Sequence, residues 1–525
     1  MTPVGEDTDR EERGRLAAVG MTLSWWARRQ PDETATVSSA GNRTFAELNA
    51  RANQLARALR RRGLRAGDGV ALLCTNRAEF VEVYAASQRT GLRLTPINWH
   101  LTADEAGYIV RDCQAKVLIG DDRLAELVAG AVGAAGTGAP VLLIGTPYED
   151  ALAAEDASDI DGPLLGGTML YTSGTTGRPK GVERMPLPTT ATANSTTAGR
   201  TNVAARYTGG GGELHLCTGP LYHAAPLAFS LNGPLTYGVG VVLMDRWDAE
   251  EALRLIDEHR ITHTHMVPTM FHRLLSLPAE TRAKYDVSSL RYIVHGAAPC
   301  PVDTKRQLIE WLGPIVYEYY AATEGSGASV DSQAWLTKPG TVGKPLDGQV
   351  LVGDEEGNPL PAGEVGVVYM KAPEVGRFRY FNDDAQTASA YRPQGDYFTL
   401  GDVGYLDEDG FLFLTDRTAN LIISGGVNVY PAEVDAVLLQ HPAVGDVATI
   451  GVPNAEWGEE VKAVVELLAG IEPSDGLAAD LIEHCRARLA HYKCPRSVDF
   501  VDALPRQDNG KIYKRLLRER YRSPS

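Results

Sequence analysis

Apolar positions change their spacing along this chain, and the changes divide it. From Thr44 to Arg62 they recur at helical intervals behind Thr44-Phe45-Ala46-Glu47, where Thr44 caps the helix and Glu47 closes a capping box. Gly67-Asp68 turns into the apolar run Gly69–Leu73, which reads as a strand, and a second helix spans roughly Arg77–Gly91. Strand, helix and strand continue through Ala103–Ile119. The pattern resumes with a strand at Leu214–Cys217, a helix at Asp248–His259, a strand at Ile261–Met266, a helix from Pro268 and a strand at Arg291–Val294. Such alternation predicts wound α/β sheets. No internal repeat is present.

From Gly340 the texture shortens. Brief alternating runs such as Gly363–Met370, separated by Gly, Pro, Asp and Asn, predict a β-rich subdomain over about 340–416. A final α/β piece follows, with helices at Pro431–Gln440 and Leu477–Leu489. The expected organisation is a disordered segment 1–20, an N-terminal domain 21–416 and a small α+β C-terminal domain 421–525.

Composition narrows the function classes. At 525 residues, with 44% apolar and 22% charged content, the chain is ordinary for a globular protein of several domains. A formal charge of −16 argues against nucleic acid or anionic lipid as partners. Six cysteines lie scattered with no C-x-x-C pair, which suits reduced thiols in the cytoplasm and no structural zinc. Met1–Arg15 is polar and carries no apolar signal core, so it reads as frayed. The longest uncharged run, Leu127–Pro147, is rich in Gly and Ala and contains Pro140. It resolves into a helix end, a turn and the buried strand Val141–Ile144 rather than a membrane span. His263 and His265 share one strand face, but no third metal ligand stands near them in sequence.

The candidate chemistry gathers in Tyr171–Val182. Gly174, Gly177 and Gly181 let the backbone turn and approach a ligand, Thr172, Ser173, Thr175 and Thr176 offer hydroxyls, and Lys180 adds a cation. Together these suit a polyphosphate. Thr168–Tyr171 reads as a short buried strand, so the loop hangs from a strand end, where α/β sheets hold ligands. A Walker loop is excluded, because Pro179 precedes Lys180 and Gly181 follows it. Composition alone would favour a solvated linker, but the order of residues resembles the phosphate-binding signature of the acyl-adenylate-forming superfamily, which includes acyl-CoA synthetases, peptide-synthetase adenylation domains and luciferases. Downstream, Thr189–Gly212 is rich in small residues and reads equally as a lid or a plain excursion.

Further segments resemble that family in order, from about Thr22 to Arg520. Tyr317–Gly325 is similar to its Tyr-Gly-x-Thr-Glu motif, with Ala321 where the family usually has glycine and Ala322 in the variable place. The resemblance implies a base-stacking Tyr320, a Thr323 hydroxyl at phosphate and Glu324 as a Mg²⁺ ligand. It implies nucleotide contacts from Gly296, Ala297, Ala298, Phe413, the ribose-holding Asp402, and Arg417. Residues 417–420 would be the hinge, although Ala419 replaces the usual charged residue. Ser424, Gly425 and Gly426 would line the tunnel for coenzyme A. Lys511, in Leu504–Lys511, would stabilise charge growing in the adenylation transition state. The acid pocket would take Tyr222, His223 (a gate), Ala224, Phe229, Met266, His295, Gly296, Ala321 and Ala322.

The resemblance therefore implies an AMP-forming acid–thiol ligase using ATP, Mg²⁺ and CoA on a fatty or aromatic acid. A homodimer is compatible with it. Two alternatives stay open: an adenylate-forming enzyme serving an amine, a carrier protein or an oxyanion such as nitrite, and a catalytically silent nucleotide-binding protein.

Overall fold

The computed structural model describes residues 4–172, 179–184, 207–208, 211–373, 377–417, 420–424, 427–454, 457–506 and 512–522. The alternating segments build two parallel sheets. The helix Phe45–Arg61 starts as its sequence predicts: the Thr44 hydroxyl accepts from the Glu47 amide, and the Glu47 carboxylate accepts from the Thr44 amide. Its apolar stripe, including Leu48, Leu55 and Leu59, is wholly buried.

The first sheet runs Val141–Leu143, Ala115–Gly120, Gly69–Leu73, Arg93–Pro96 and Gly167–Thr168, all parallel. The second runs Ser326–Val330, Val316–Ala321, Tyr292–His295, His263–Met266, Leu214–Cys217, Gly240–Leu243, Thr34–Val37 and Arg43–Thr44, with only the two outermost strands antiparallel. Each sheet reverses its winding once. The first does so between Gly69–Leu73 and Ala115–Gly120, the second between Leu214–Cys217 and His263–Met266. Ligands of open parallel sheets bind beyond the carboxyl ends of the strands at such reversals. Asn76 buttons the two edges together. Its amide donates to the carbonyls of Gly219 and Met244 at 3.0 and 3.1 Å and accepts from the Leu221 amide at 3.0 Å.

The β-rich stretch forms a four-stranded antiparallel sheet from Val350–Gly353, Gly366–Lys371, Tyr397–Leu406 and Leu412–Arg417. Its strand Phe378–Tyr380 leaves to join Leu170–Thr172 and Lys180–Arg184 in a sheet of three. The C-terminal piece is a five-stranded sheet carrying the helices Pro431–Leu438, Asp475–Arg486 and Lys514–Arg522.

Three expectations change. Val4–Ala17 is helical rather than frayed: Leu16 and Val19 dock on the first core, and Glu12 and Asp9 pair with Arg28 and Arg29. Val141–Leu143 is an edge strand, with Val141 exposed rather than buried. Thr168–Tyr171 is not one strand but the crossing between two sheets. The run Leu127–Pro147 does resolve into a helix end, a turn and a strand. Among the described residues no helix is long and apolar enough to cross a membrane, and no group of three His, Cys, Asp or Glu is placed to hold a metal.

Candidate active site

Leu170–Thr172 and Lys180–Arg184 pair antiparallel, with Thr172 opposite Lys180, so the hairpin brackets the stretch carrying Ser173, Gly174, Thr175, Thr176 and Gly177. Those five lie outside the described residues. Lys180 forms no ion pair with a described residue; its ammonium sits 5.6 Å over the ring of Tyr380. The Tyr380 hydroxyl donates to Glu324 at 3.0 Å. Burial and the neighbouring Glu324 carboxylate push this phenol's pKa up, so it stays a donor. Lysine, tyrosine and glutamate from three distant segments thus meet at the foot of the hairpin.

Glu324 sits in a tight turn in which the amide of Ala322 donates to the Gly325 carbonyl at 2.7 Å. A Cβ on Gly325 would stand 2.6 Å from the ring of Phe398, so the turn needs glycine there. Arg184 donates to the Thr323 carbonyl at 2.9 Å, tying the turn to the hairpin. Glu324 is 6% exposed. Mg²⁺ commonly takes one or two protein carboxylates and completes its shell with phosphate and water, so a single hard carboxylate beside a phosphate loop fits that ion.

Tyr320, on the strand before this turn, donates to Asp402 at 2.7 Å. Asp402 in turn lies opposite Arg417 in antiparallel register. The structure therefore gathers Tyr320, Asp402 and the Arg417 backbone, as expected of a nucleoside site. Phe413 stacks on Tyr405 with centroids 5.0 Å apart. Gly296, Ala297 and Ala298 follow the strand Tyr292–His295, and Ala297 holds φ at 68°. A non-glycine residue in that region is strained, and such strain collects at ligand sites.

The pocket residues divide. Leu214–Cys217 leads at the winding reversal into Tyr222 and His223, whose rings lie 4.6 Å apart. The helix beyond widens to π geometry over Pro226–Asn232, a form that recurs at functional sites. It presents Phe229 to His265 and Tyr319. Ala224 packs on the first-sheet core, while Ala225 faces the aromatic cluster. Ala321 ends its strand beside that cluster, and Ala322 is in the turn. Met266 and His295 must be corrected: side chains alternate along a strand, and both fall on the opposite face. Met266 is core there with Phe271 and Leu308. His295 meets Phe271 edge-on at 5.0 Å and lies 3.6 Å from Glu318, which accepts from the wholly buried Lys305 at 2.6 Å. Burial and the Lys305 charge depress the His295 pKa and keep it neutral.

Ser424 pairs with Val427 across Gly425 and Gly426, and Arg506 bridges to Ile512 across the segment that carries Lys511. Gly425, Gly426, Lys511 and the hinge residue Ala419 lie outside the described residues. Of the two histidines on one strand face, His263 bonds Thr262 and His265 bonds Tyr319. Tyr380 and Arg184 escaped the sequence reading, because nothing local links Tyr380 to Glu324, 56 positions away.

Comparison with known proteins agrees with this geometry. The model described as AMP-binding enzyme matches residues 23–378, and that described as AMP-binding enzyme C-terminal domain matches 433–511. A 2-succinylbenzoate–CoA ligase of Geobacillus kaustophilus (strain HTA426) is 36% identical over 93% of this chain and 95% of its own. A feruloyl-CoA synthase of an Amycolatopsis species is 35% identical over 94% and 97%. Among solved structures, ATP-bound MatB from Rhodopseudomonas palustris matches with TM-score 0.80 and 31% identity, covering 96% of this chain and 99% of that one. An anthranilate CoA ligase bound to anthranoyl-AMP matches with TM-score 0.85 and 27% identity over 96% and 97%. The chain belongs to the AMP-binding enzymes, the acyl-adenylate-forming family whose members here are acyl- and aryl-CoA ligases.

Proposed function

We propose that this enzyme activates a carboxylic acid with ATP and passes the acyl group to the thiol of coenzyme A. In the first half-reaction a carboxylate oxygen bonds to the α-phosphorus, the bond to the bridging oxygen breaks, and pyrophosphate leaves. In the second the thiol sulfur, its proton released to solvent, bonds to the acyl carbon and AMP leaves with the electron pair of the broken C–O bond. The observation that carries the reading is the Lys180–Tyr380–Glu324 group at the foot of the phosphate hairpin. Lys180 meets the departing phosphates as a charge with no competing carboxylate among the described residues. Glu324, oriented by Tyr380, would hold Mg²⁺, which supplies charge neutralisation at the phosphates when bound. Tyr320 and Asp402 hold the nucleoside. Lys511 orients the attack, and Ser424 to Gly426 receive the thiol arm after the C-terminal domain turns about residues 417–420.

Pyrophosphate release with a panel of carboxylic acids, with and without CoA, tests this. Acid-dependent release accompanied by stoichiometric thioester is the expected result. Acid-dependent release that leaves CoA untouched moves the acceptor to an amine or a carrier protein. Release with nitrite alone, or none at all, overturns the reading.

A further inference from the structure

Rows of side chains on one face of the second sheet show how deep an acid can reach. The strands are parallel, and their register places Cys217, His265, Val294 and Tyr317 in one row. His215, His263 and Tyr292 form the row beneath, farther from the ligand edge. Tyr319 lies on the same strand face as Ala321, two residues deeper, roughly 7 Å along the strand. Its ring leans sideways over the neighbouring strand. A Cβ on Gly296 would sit 2.7 and 2.8 Å from two of the ring's carbons, so glycine there makes room for the aromatic plate. The hydroxyl reaches His265 one strand farther on, at 3.0 Å. Phe229 from the π-helical turn closes the third side, with centroids 4.5 Å from Tyr319 and 5.5 Å from His265.

The layer below is closed by its own bonds. Tyr207 bonds His215 at 3.0 Å, and His215 bonds Ser230 at 3.0 Å through its other nitrogen. Every one of these groups is buried. An alkyl chain entering that layer would have to break buried hydrogen bonds and gain none, which is expensive. Burial pushes His265 down to about 3, so it stays a neutral partner for the tyrosine at any working pH. Beside this layer, past Tyr319 toward the sheet edge, lies a cavity of about 230 Å³ walled by Tyr317, Asp331, Lys344 and Phe411, and Tyr319 forms part of its boundary.

We propose that Tyr319, braced by His265, Phe229 and the bare Cα of Gly296, is the floor of the acid pocket and limits this enzyme to single-ring or short-chain carboxylic acids. The inference rests on the acid-activating reading above. Removing the ring joins the pocket to the cavity behind it and admits longer acids.

Two measurements separate this inference from the activity it rests on. The first is acid-dependent ATP–pyrophosphate exchange with straight-chain acids from acetate to hexadecanoate, together with benzoate, which reads only the first half-reaction. Wild-type kcat/KM is expected to fall more than tenfold between the short or single-ring acids and dodecanoate. Tyr319→Ala should move the optimum to longer chains, and Tyr319→Phe, which keeps the plate and loses only the hydroxyl, should keep the wild-type limit. The second is calorimetric binding of two non-reactive adenylate mimics, benzoyl- and dodecanoyl-sulfamoyladenosine. Wild type should favour the benzoyl mimic by at least tenfold, and Tyr319→Ala should erase or reverse that preference. An enzyme that exchanges nothing but still shows this binding preference loses the activity reading and keeps the floor. Equal binding of both mimics by wild type, an unchanged chain-length profile in a folded Tyr319→Ala enzyme, or binding of neither mimic overturns the floor.

Discussion

The two wound sheets reverse their strand order in the same way and use the resulting crevices in opposite ways. At the first reversal, Thr75 and Arg77 follow one strand and Asp121, Asp122 and Arg123 follow its neighbour. Arg77 bonds Asp121 at 2.7 Å, Asp122 at 2.8 Å and Glu79 at 2.7 Å, and Asp121 also accepts from the Thr75 hydroxyl at 2.6 Å. Each charge is paired with another. At the second reversal the edge runs through Tyr222 and His223 to the strained Ala297 and the Thr323–Glu324 turn, and it faces a lysine without a carboxylate partner among the described residues. One topology thus gives a structural knot where its charges are paired and, at the proposed reaction site, a lysine left for a ligand. Charge balance, rather than fold, separates the two.

The comparison breaks most sharply at Lys180. Lys180→Ala should lower the rate of pyrophosphate release roughly 100- to 1,000-fold, the range for losing one preorganised electrostatic contact. The melting temperature should hold, because no described ion pair is lost. A variant that unfolds instead would place Lys180 in the structural class. At the first reversal Arg77→Ala should do the reverse. It removes one of the two arginines paired with the fully buried Asp121 carboxylate, leaving Arg123 and the Thr75 hydroxyl, and should cost about 1.5–3 kcal/mol in denaturant unfolding, while the enzyme that remains folded keeps its turnover.

Acid sharpens the same contrast. Burial works to raise Asp121, but the bonds from Thr75 and Arg123 and the Arg77 charge outweigh it and hold the carboxyl well below the ordinary range. A depressed folded value contributes stability that is fully present above the unfolded aspartate value of about 4 and is lost as pH falls through the folded one. Unfolding curves measured from neutral pH down to about pH 3 should therefore fall less steeply on the acid side in Asp121→Asn. Stability that still falls as steeply in that variant assigns the limb to other carboxylates.

A smaller effect is expected at Tyr380. Tyr380→Phe removes the hydroxyl bonded to Glu324 but keeps the ring beneath Lys180, and it should lower kcat roughly tenfold, since bonds to a charged group are worth about 1.5–3 kcal/mol. A shift confined to the Mg²⁺ concentration needed for half-maximal rate would show that Tyr380 serves the cation through Glu324 rather than the phosphates.

Legibility followed the range of the interaction. The Thr44 capping box and the alternation that made both sheets are local, and each stands where its residues predicted. The helix Val4–Ala17 was missed because ion pairs to Arg28 and Arg29 and the docking of Leu16 hold it, rather than an apolar stripe of its own. Met266 and His295 were misplaced although the signal was present. The period of two that put His263 and His265 on one face already puts Met266 on the other. Tyr380 and the Tyr319–His265 brace had no local signal, since each depends on how strands from separate segments come into register.

The mildest test falls on Tyr320. Its hydroxyl orients the Asp402 carboxylate at 2.7 Å, and its ring fills the space that a side chain at Gly327 would need. Tyr320→Phe keeps the ring and its packing and removes one hydrogen bond, so stability should hardly change. At the first reversal, losing a comparable bond to Asp121 would be a folding defect, because that carboxylate is wholly buried among protein partners. At the proposed nucleotide site a ligand would replace the bond: the ribose hydroxyls that Asp402 would accept are present in the ground state and the transition state alike. The loss should therefore appear as a rise of roughly fivefold in KM for ATP, about 1 kcal/mol, with kcat nearly unchanged, the signature of uniform binding. Steady-state kinetics at saturating acid and CoA measures it. If kcat falls in proportion instead, the Tyr320–Asp402 pair tightens only as pyrophosphate leaves, and the open crevice is organised by the reaction rather than before it.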